Sequence, residues 1–90
     1  MKKAVITVLG HDKVGIIARV CTFLSEANVN ILDISQTIVQ GFFNMMMIVD
    51  MEKATASFES VAAGLDQIGE EIGVSVKCQR EEIFTKMHRI

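Results

Sequence analysis

Residues 3–15 of the chain read KAVITVLGHDKVG, and this stretch decides the fold. Lys3–Leu9 is rich in β-branched residues and ends at a glycine, a pattern typical of a buried strand. From Val14 onward the apolar residues recur with helical spacing. Residues 10–15 are therefore expected to form a short loop that ends a strand and opens a helix. Because such a loop directs backbone N–H groups and the positive end of the helix dipole outward, it is the strongest candidate for holding a small anionic group.

The composition indicates one small domain that associates with itself. The chain has 90 residues, enough for one domain, and 50% of them are hydrophobic, more than a small monomer easily buries. Nine basic and eleven acidic residues give a net charge of −2, which disfavours nucleic-acid binding. No apolar run is long enough to cross a membrane, and the first residues lack a signal-peptide pattern.

The two cysteines predict a reducing environment. Cys21 and Cys78 lie far apart and without Cys-x-x-Cys spacing, so we expect reduced thiols in a cytoplasmic protein. Each falls within an apolar pattern, which favours a packed thiol over a catalytic one.

The first helix is predicted from about Val14 to Asn28. The centre of its wide apolar face should belong to the core and consists of Ile17, Val20 and Leu24. Phe23 and Ile16 lie toward one flank of this face, where they would cover the edge of the core or meet a second subunit.

A hairpin is predicted next, with strands from about 31 to 40 and 42 to 51 around the turn Gln40-Gly41. In the first of these strands, polar residues alternate with apolar residues that should form one buried face, namely Leu32, Ile34 and Ile38. The second strand contains Met45-Met46-Met47, in which Met46 must face the side opposite to its two neighbours.

The remaining pattern completes an α+β fold. A second helix is predicted from about Thr55 to Ile72, capped by Thr55 or Ser57 and ended by Gly73, and a strand follows it. The order strand–helix–strand–strand–helix–strand predicts a ferredoxin-like βαββαβ sandwich, with two helices on one face of a four-stranded antiparallel sheet. Right-handed crossovers place the first and third strands in its centre.

The chain is therefore divided into a domain over residues 1–80 and a short helical, amphipathic extension over residues 81–90. The apolar side of the extension consists of Ile83, Phe84, Met87 and Ile90. We expect this segment to pack on its own domain or on a partner subunit.

No catalytic constellation is visible in the sequence. His11 and His88 lie in different regions, no cluster has metal-ligand spacing, and no nucleotide-binding fingerprint is present. The predicted sheet also lacks the aromatic residues with which an RNA platform stacks bases. We therefore expect no catalytic residue, no metal and no cofactor.

The first loop and the entry to the second strand resemble a known family. Asp12 followed by Gly15 and Ile16-Ile17, together with Val29-Asn30-Ile31, is similar to the ACT domain, a regulatory module that senses amino acids. The resemblance covers about residues 3–80 and is strongest to small stand-alone bacterial members and to tandem-domain repressors of glycine cleavage. The family's usual loop reads Asp/Asn-x-Pro-Gly. Val14 replaces the proline here, which makes the loop less rigid.

The resemblance implies a ligand site. Asp12 would contact the ligand, Gly15 would allow close approach of the backbone, and Asn30 would contribute a polar contact across a subunit interface. An amino acid needs acceptors for its ammonium and donors for its carboxylate; Asp12 supplies the first, and N–H groups near the helix start supply the second. The predicted ligand-binding residues are thus Asp12, Lys13, Val14, Gly15, Ile16 and Asn30.

Structural interpretations of the same residues remain open. Asp12 would cap the first helix, Gly15 would let that helix pack closely on the strand, and Asn30 would be a turn residue. The leading hypothesis is a non-enzymatic regulatory homodimer that binds an amino acid and acts on a regulated protein. The alternatives are a pure interaction module and a small enzyme, such as a phosphatase, that uses Arg19 to bind an anion.

Overall fold

The computed structural model describes residues 2–11 and 14–81. Its elements follow the predicted order, which confirms the ferredoxin-like βαββαβ fold; they are β1 (Lys3–His11), α1 (Ile16–Glu26), β2 (Asn30–Val39), β3 (Phe42–Asp50), α2 (Phe58–Ile72) and β4 (Ser75–Arg80). Residues 82–90, nearly all of the predicted extension, lie outside the described residues, so the division at residue 80 stays a prediction.

The four strands form one antiparallel sheet in the order β2-β3-β1-β4. The first and third strands occupy its centre, as the right-handed crossovers predicted. The pairing of β1 with β3 runs from Lys3 opposite Asp50 to His11 opposite Phe42. β2 and β4 are the edges, so each has a sheet neighbour on one side only.

The core lies between the sheet and the two helices. The largest fully buried side chains occupy alternate positions in β1 and β3 and one side of each helix. They are Ile6, Val8, Met45, Met47, Val49, Ile16, Val20, Leu24, Val61 and Leu65. The three consecutive methionines alternate as predicted, because Met46 is 38% exposed while its two neighbours are fully buried.

The second helix begins and ends with the predicted chemistry. The hydroxyl of Ser57 accepts a hydrogen bond from the Ser60 N–H at 3.1 Å, so Ser57 rather than Thr55 is the cap. Gly73 ends the helix in the left-handed conformation with φ of 85°. The two helices approach closely at Gly64, where an added Cβ would lie 2.3 Å from Phe23 Cζ.

Two expectations about the core are wrong. Ile17 was expected in the core but is 38% exposed, because α1 directs Ile16 toward the core together with Val20 and Leu24. The face of β2 that was expected to be buried is also open, with exposures of 41% for Leu32, 42% for Ile34 and 57% for Ile38. β2 lies at the sheet edge, and a β-bulge between Ile31 and Asp33 shifts its register. An apolar face is therefore present, but this chain alone does not cover it.

Candidate ligand-binding site

The loop after β1 opens into α1 through a glycine in a left-handed conformation. Gly15 occupies the N-cap position with φ of 89° and ψ of 2°. A Cβ added at Gly15 would meet no described atom within 4 Å, so backbone conformation and not close packing requires the glycine. The close-packing interpretation of Gly15 is wrong. That role falls to Gly10, where an added Cβ would lie 2.8 Å from Val74 Cγ1.

The first turn of α1 presents backbone donors at this opening. The first helical hydrogen bond runs from the Arg19 N–H to the Gly15 carbonyl at 2.9 Å. The N–H groups of residues 16–18 consequently have no acceptor within the helix, and the positive end of the helix dipole lies there. This arrangement suits a carboxylate or another small anion.

The predicted residues of the loop contribute in different ways. The side chain of Ile16 is 2% exposed and belongs to the core, so only its backbone is available to a ligand. Val14 is fully exposed to solvent. Asp12 and Lys13 lie outside the described residues, so their contact with a ligand stays a prediction.

One neighbour of the loop was missed by sequence analysis. The ring of Phe42 stacks on His11 with centroids 4.7 Å apart, at the end of β1 where the loop begins. The two residues are 31 positions apart in the sequence, and only the pairing of β1 with β3 brings them together. Phe42 is 52% exposed, and strand alternation places it with His11 on the sheet face opposite the helices, because its neighbour Phe43 belongs to the core.

Asn30 lies at the opposite end of the sheet. It is the first residue of β2 and pairs with Asp50, whereas the loop follows His11 at the far end of β1. The eight residue steps from Lys3 to His11 correspond to about 27 Å of strand. One chain therefore does not bring Asn30 to the loop.

The end of the sheet at Asn30 is held by contacts between two connections. The side-chain amide of Asn28 donates to the Lys53 carbonyl at 2.8 Å, and the Thr55 N–H donates to the Ala27 carbonyl at 2.9 Å. Asn28 has a left-handed φ of 57°, a conformation that asparagine tolerates better than most residues. A shallow groove beside these contacts is lined by Cys21, Ser25, Asn28, Asn30, Asp50 and Lys53.

Two arginines of the described chain form ion pairs at the surface. Arg19, the residue of the enzyme hypothesis, pairs with Glu71, and both side chains are about half exposed. Arg80 lies 4.4 Å above the Phe58 ring and bonds Glu59 at 3.2 Å. A backbone hydrogen bond, followed by the bond from Arg80, lowers the pKa of Glu59.

Burial raises the pKa of the Cys78 thiol to about 11, which makes it a poor nucleophile.

Within residues 2–11 and 14–81, no group of three or more potential ligands is placed to hold a metal ion. Across the same described residues, no helix has the length and hydropathy needed to cross a membrane.

The chain combines the βαββαβ fold with a loop after β1 that a left-handed glycine opens. The chain belongs to the ACT domain family, whose sequence model matches residues 2–79, as the resemblance of the loop implied. It is similar to a UPF0237 protein of Bifidobacterium longum, with 64% identity over the whole of both chains.

Solved structures agree with this assignment. The chain resembles an ACT domain protein from Streptococcus pneumoniae, with 36% identity, a TM-score of 0.79 and coverage of 92% of this chain and 93% of the other. It also shares its fold with a protein described as a glycine cleavage system transcriptional repressor. In that case the identity is 23%, the TM-score is 0.77, and the match covers 88% of this chain and 45% of the other.

Proposed function

We propose that this protein is a non-enzymatic regulator that forms a homodimer and binds an amino acid at the subunit interface. The observation that carries the proposal is the uncovered edge strand β2, where Ile34, Ile38 and Val39 are 42%, 57% and 63% exposed. An edge strand presents unpaired backbone groups, and an apolar one invites pairing with another chain. A second copy of the chain would pair with these backbone groups and cover the apolar side chains.

Pairing of two β2 strands would also complete the candidate site. In a two-fold antiparallel pair, the first residue of β2 in one chain lies beside the last residues of β2 in the partner subunit. Val39 pairs with Phe42, and Phe42 pairs with His11 at the start of the loop. Asn30 of one chain would then lie about three strand spacings, roughly 14 Å, from the loop end of its partner's β1.

The residues at this junction match the chemistry of an amino acid. The N–H groups at the start of α1 would bind the carboxylate, and Asp12 would accept hydrogen bonds from the ammonium group. Asn30 can donate or accept and is fit for either group. Because Gly15 has no side chain, the ligand can approach the backbone closely.

Regulation would follow from differential binding. A ligand held by two chains stabilises the dimer arrangement that places both halves of the site together. A regulated protein would then respond to that arrangement. We place this function in the cytoplasm, because Cys21 and Cys78 are both free thiols, which persist in reducing compartments.

Calorimetry with each of the twenty amino acids tests ligand binding. One of them should bind, and Asp12→Ala and Asn30→Ala should each weaken it about tenfold or more, the loss of one or two charge-assisted hydrogen bonds. Asp66→Ala and Gln67→Ala, exposed positions of α2, are the matched controls and should leave binding unchanged. If no amino acid binds at millimolar concentration, the sensing function is wrong.

Sedimentation tests the interface separately. Ile34→Asp should convert the dimer to a monomer, because the charge would be buried in the apolar seam. Ser35→Asp, on the other face of the same exposed strand, is the control. A dimer that survives Ile34→Asp at micromolar concentration would exclude β2 as the seam.

A pure interaction module is the second candidate, and the same exposed β2 favours it. This protein would form the β2 dimer without binding any amino acid. Calorimetry without binding together with dissociation by Ile34→Asp would select this function.

A further inference from the structure

The side of β2 that faces the helix layer is open beside α1. Ile38 pairs with the core residue Phe43, so it lies on the same face of the sheet as the two helices. Ile34 lies on this face too, opposite the core residue Met47. Both isoleucines are exposed, because α1 connects β1 to β2 and crosses above β3, which lies between those strands. We call the open strip beside α1, with Ile34 and Ile38 as its floor, the β2 trough.

The wall of the β2 trough is the flank of α1 that faces away from α2. On the opposite flank, Arg19 pairs with Glu71 of α2, and Phe23 lies against Gly64 of the same helix. Since α-helical residues follow one another at about 100°, Ile17 projects about 120–160° away from Arg19 and Phe23. This direction turns Ile17 toward β2, where its side chain is 38% exposed.

The two isoleucines of this wall and floor lie beside the candidate site. Ile17 is the second residue of α1, next to the N–H groups that have no acceptor within the helix. Ile38 lies opposite Phe43, and Phe43 lies opposite Gly10, where the loop after β1 begins. An anionic group held at the start of α1 would therefore have apolar surface next to it.

Pairing of two chains would turn the β2 trough into a narrow pocket. A two-fold pair of β2 strands puts both helix layers on one side of the joined sheet. Each α1 would lie about one and a half strand spacings from the axis, so the two α1 helices would be about 14 Å apart. Helices in direct contact lie about 8–10 Å apart. The remaining gap of about 4–6 Å has the width of one aliphatic side chain and is too narrow for a third helix.

We propose that the ligand is an amino acid with a branched aliphatic side chain, and that Ile17 and Ile38 select it. This inference rests on the proposed function, because the β2 trough becomes a pocket only when a second copy pairs with β2. The start of α1 and Asn30 of the second copy bind the polar groups of the amino acid, so its side chain is left to the isoleucines. A charged side chain would lose its hydration there, which disfavours acidic and basic amino acids.

Calorimetry on the full chain with a series of amino acids tests the class of ligand. Leucine, isoleucine and valine should each bind about tenfold or more tightly than alanine, because two or more additional carbon groups would be buried. Serine, aspartate and lysine should bind more weakly than leucine. Tightest binding by an amino acid of any other class would overturn this inference and leave the proposed function intact. If none of the twenty binds, the proposed function is wrong and this inference fails with it.

Matched alanine substitutions test whether the two isoleucines form the pocket. Ile17→Ala and Ile38→Ala should each weaken leucine binding about tenfold and leave alanine binding within about twofold, because the shorter ligand does not reach them. Met46→Ala and Leu9→Ala are the controls, since these residues are 38% and 55% exposed on the opposite face of the sheet. Both should leave leucine binding unchanged.

Sedimentation of the same variants separates loss of the pocket from loss of the dimer. Ile17 lies outside β2, so Ile17→Ala should remain a dimer and keep the test independent of strand pairing. A dimeric Ile17→Ala protein that binds leucine normally, or that loses leucine and alanine binding equally, would contradict the assignment of the pocket.

Discussion

The substitution Gly15→Ala measures the free-energy cost of the left-handed backbone conformation at the opening of the candidate site. A Cβ at Gly15 would meet no described atom within 4 Å, so the substitution introduces no steric clash there. What remains is the cost of holding an L-residue at φ of 89°, about 1–2 kcal/mol. The unfolded chain loses entropy with alanine, which offsets about 0.4–1 kcal/mol. We expect a net loss in the free energy of unfolding of about 1 kcal/mol.

Thermal unfolding at matched protein concentration measures this loss. For a domain of this size, 1 kcal/mol lowers the midpoint temperature by about 4–8 °C. Equal concentrations matter because a dimer is more stable when it is more concentrated. The sharper comparison is a synthetic chain with D-alanine at position 15, for which positive φ is favourable. This chain should be at least as stable as the glycine protein.

The comparison of the two alanines decides between explanations. If L-alanine and D-alanine at position 15 destabilise the protein equally, the site has no room for a methyl group, and the open space inferred at Gly15 is wrong. If L-alanine is neutral, the left-handed conformation itself is wrong. Only opposite effects of the two enantiomers agree with a backbone requirement.

Three further predictions follow from the contacts of the fold. Gly64→Ala should cost about 1–3 kcal/mol by overpacking against Phe23, and Phe23→Leu should recover part of it in a double-mutant cycle; additive effects would refute the contact. Ser57→Ala should cost about 1 kcal/mol in urea unfolding, while Ser57→Asp should retain the cap. Cys78 keeps its proton to about pH 11 when folded, against an ordinary pKa of 9.0, so the unfolding free energy should fall as pH rises between these values. Cys78→Ala should remove that part of the pH dependence.

The sequence by itself determined the elements and the loop. The change from strand spacing to helical spacing around residues 10–15 predicted β1 and α1, because the two backbone forms repeat their side chains with different periods. Ser57 and Gly73 marked the ends of α2 for equally local reasons. Asp12 and Gly15 indicated the family. A position that adopts a positive φ favours glycine, and a glycine at a given spacing can be read directly from the sequence.

Only the tertiary structure decided what covers each apolar face. Periodicity shows that Ile34 and Ile38 lie on one face of β2, with an alternation typical of a buried face. It does not show whether residues of the same chain cover that face. The position of β2 at the sheet edge leaves them open. The same limit applies to distances, because the pairing of distant strands places Asn30 and the loop at Gly15 at opposite ends of the sheet. Local spacing fixes local conformation, whereas burial and proximity depend on contacts between residues far apart in the chain.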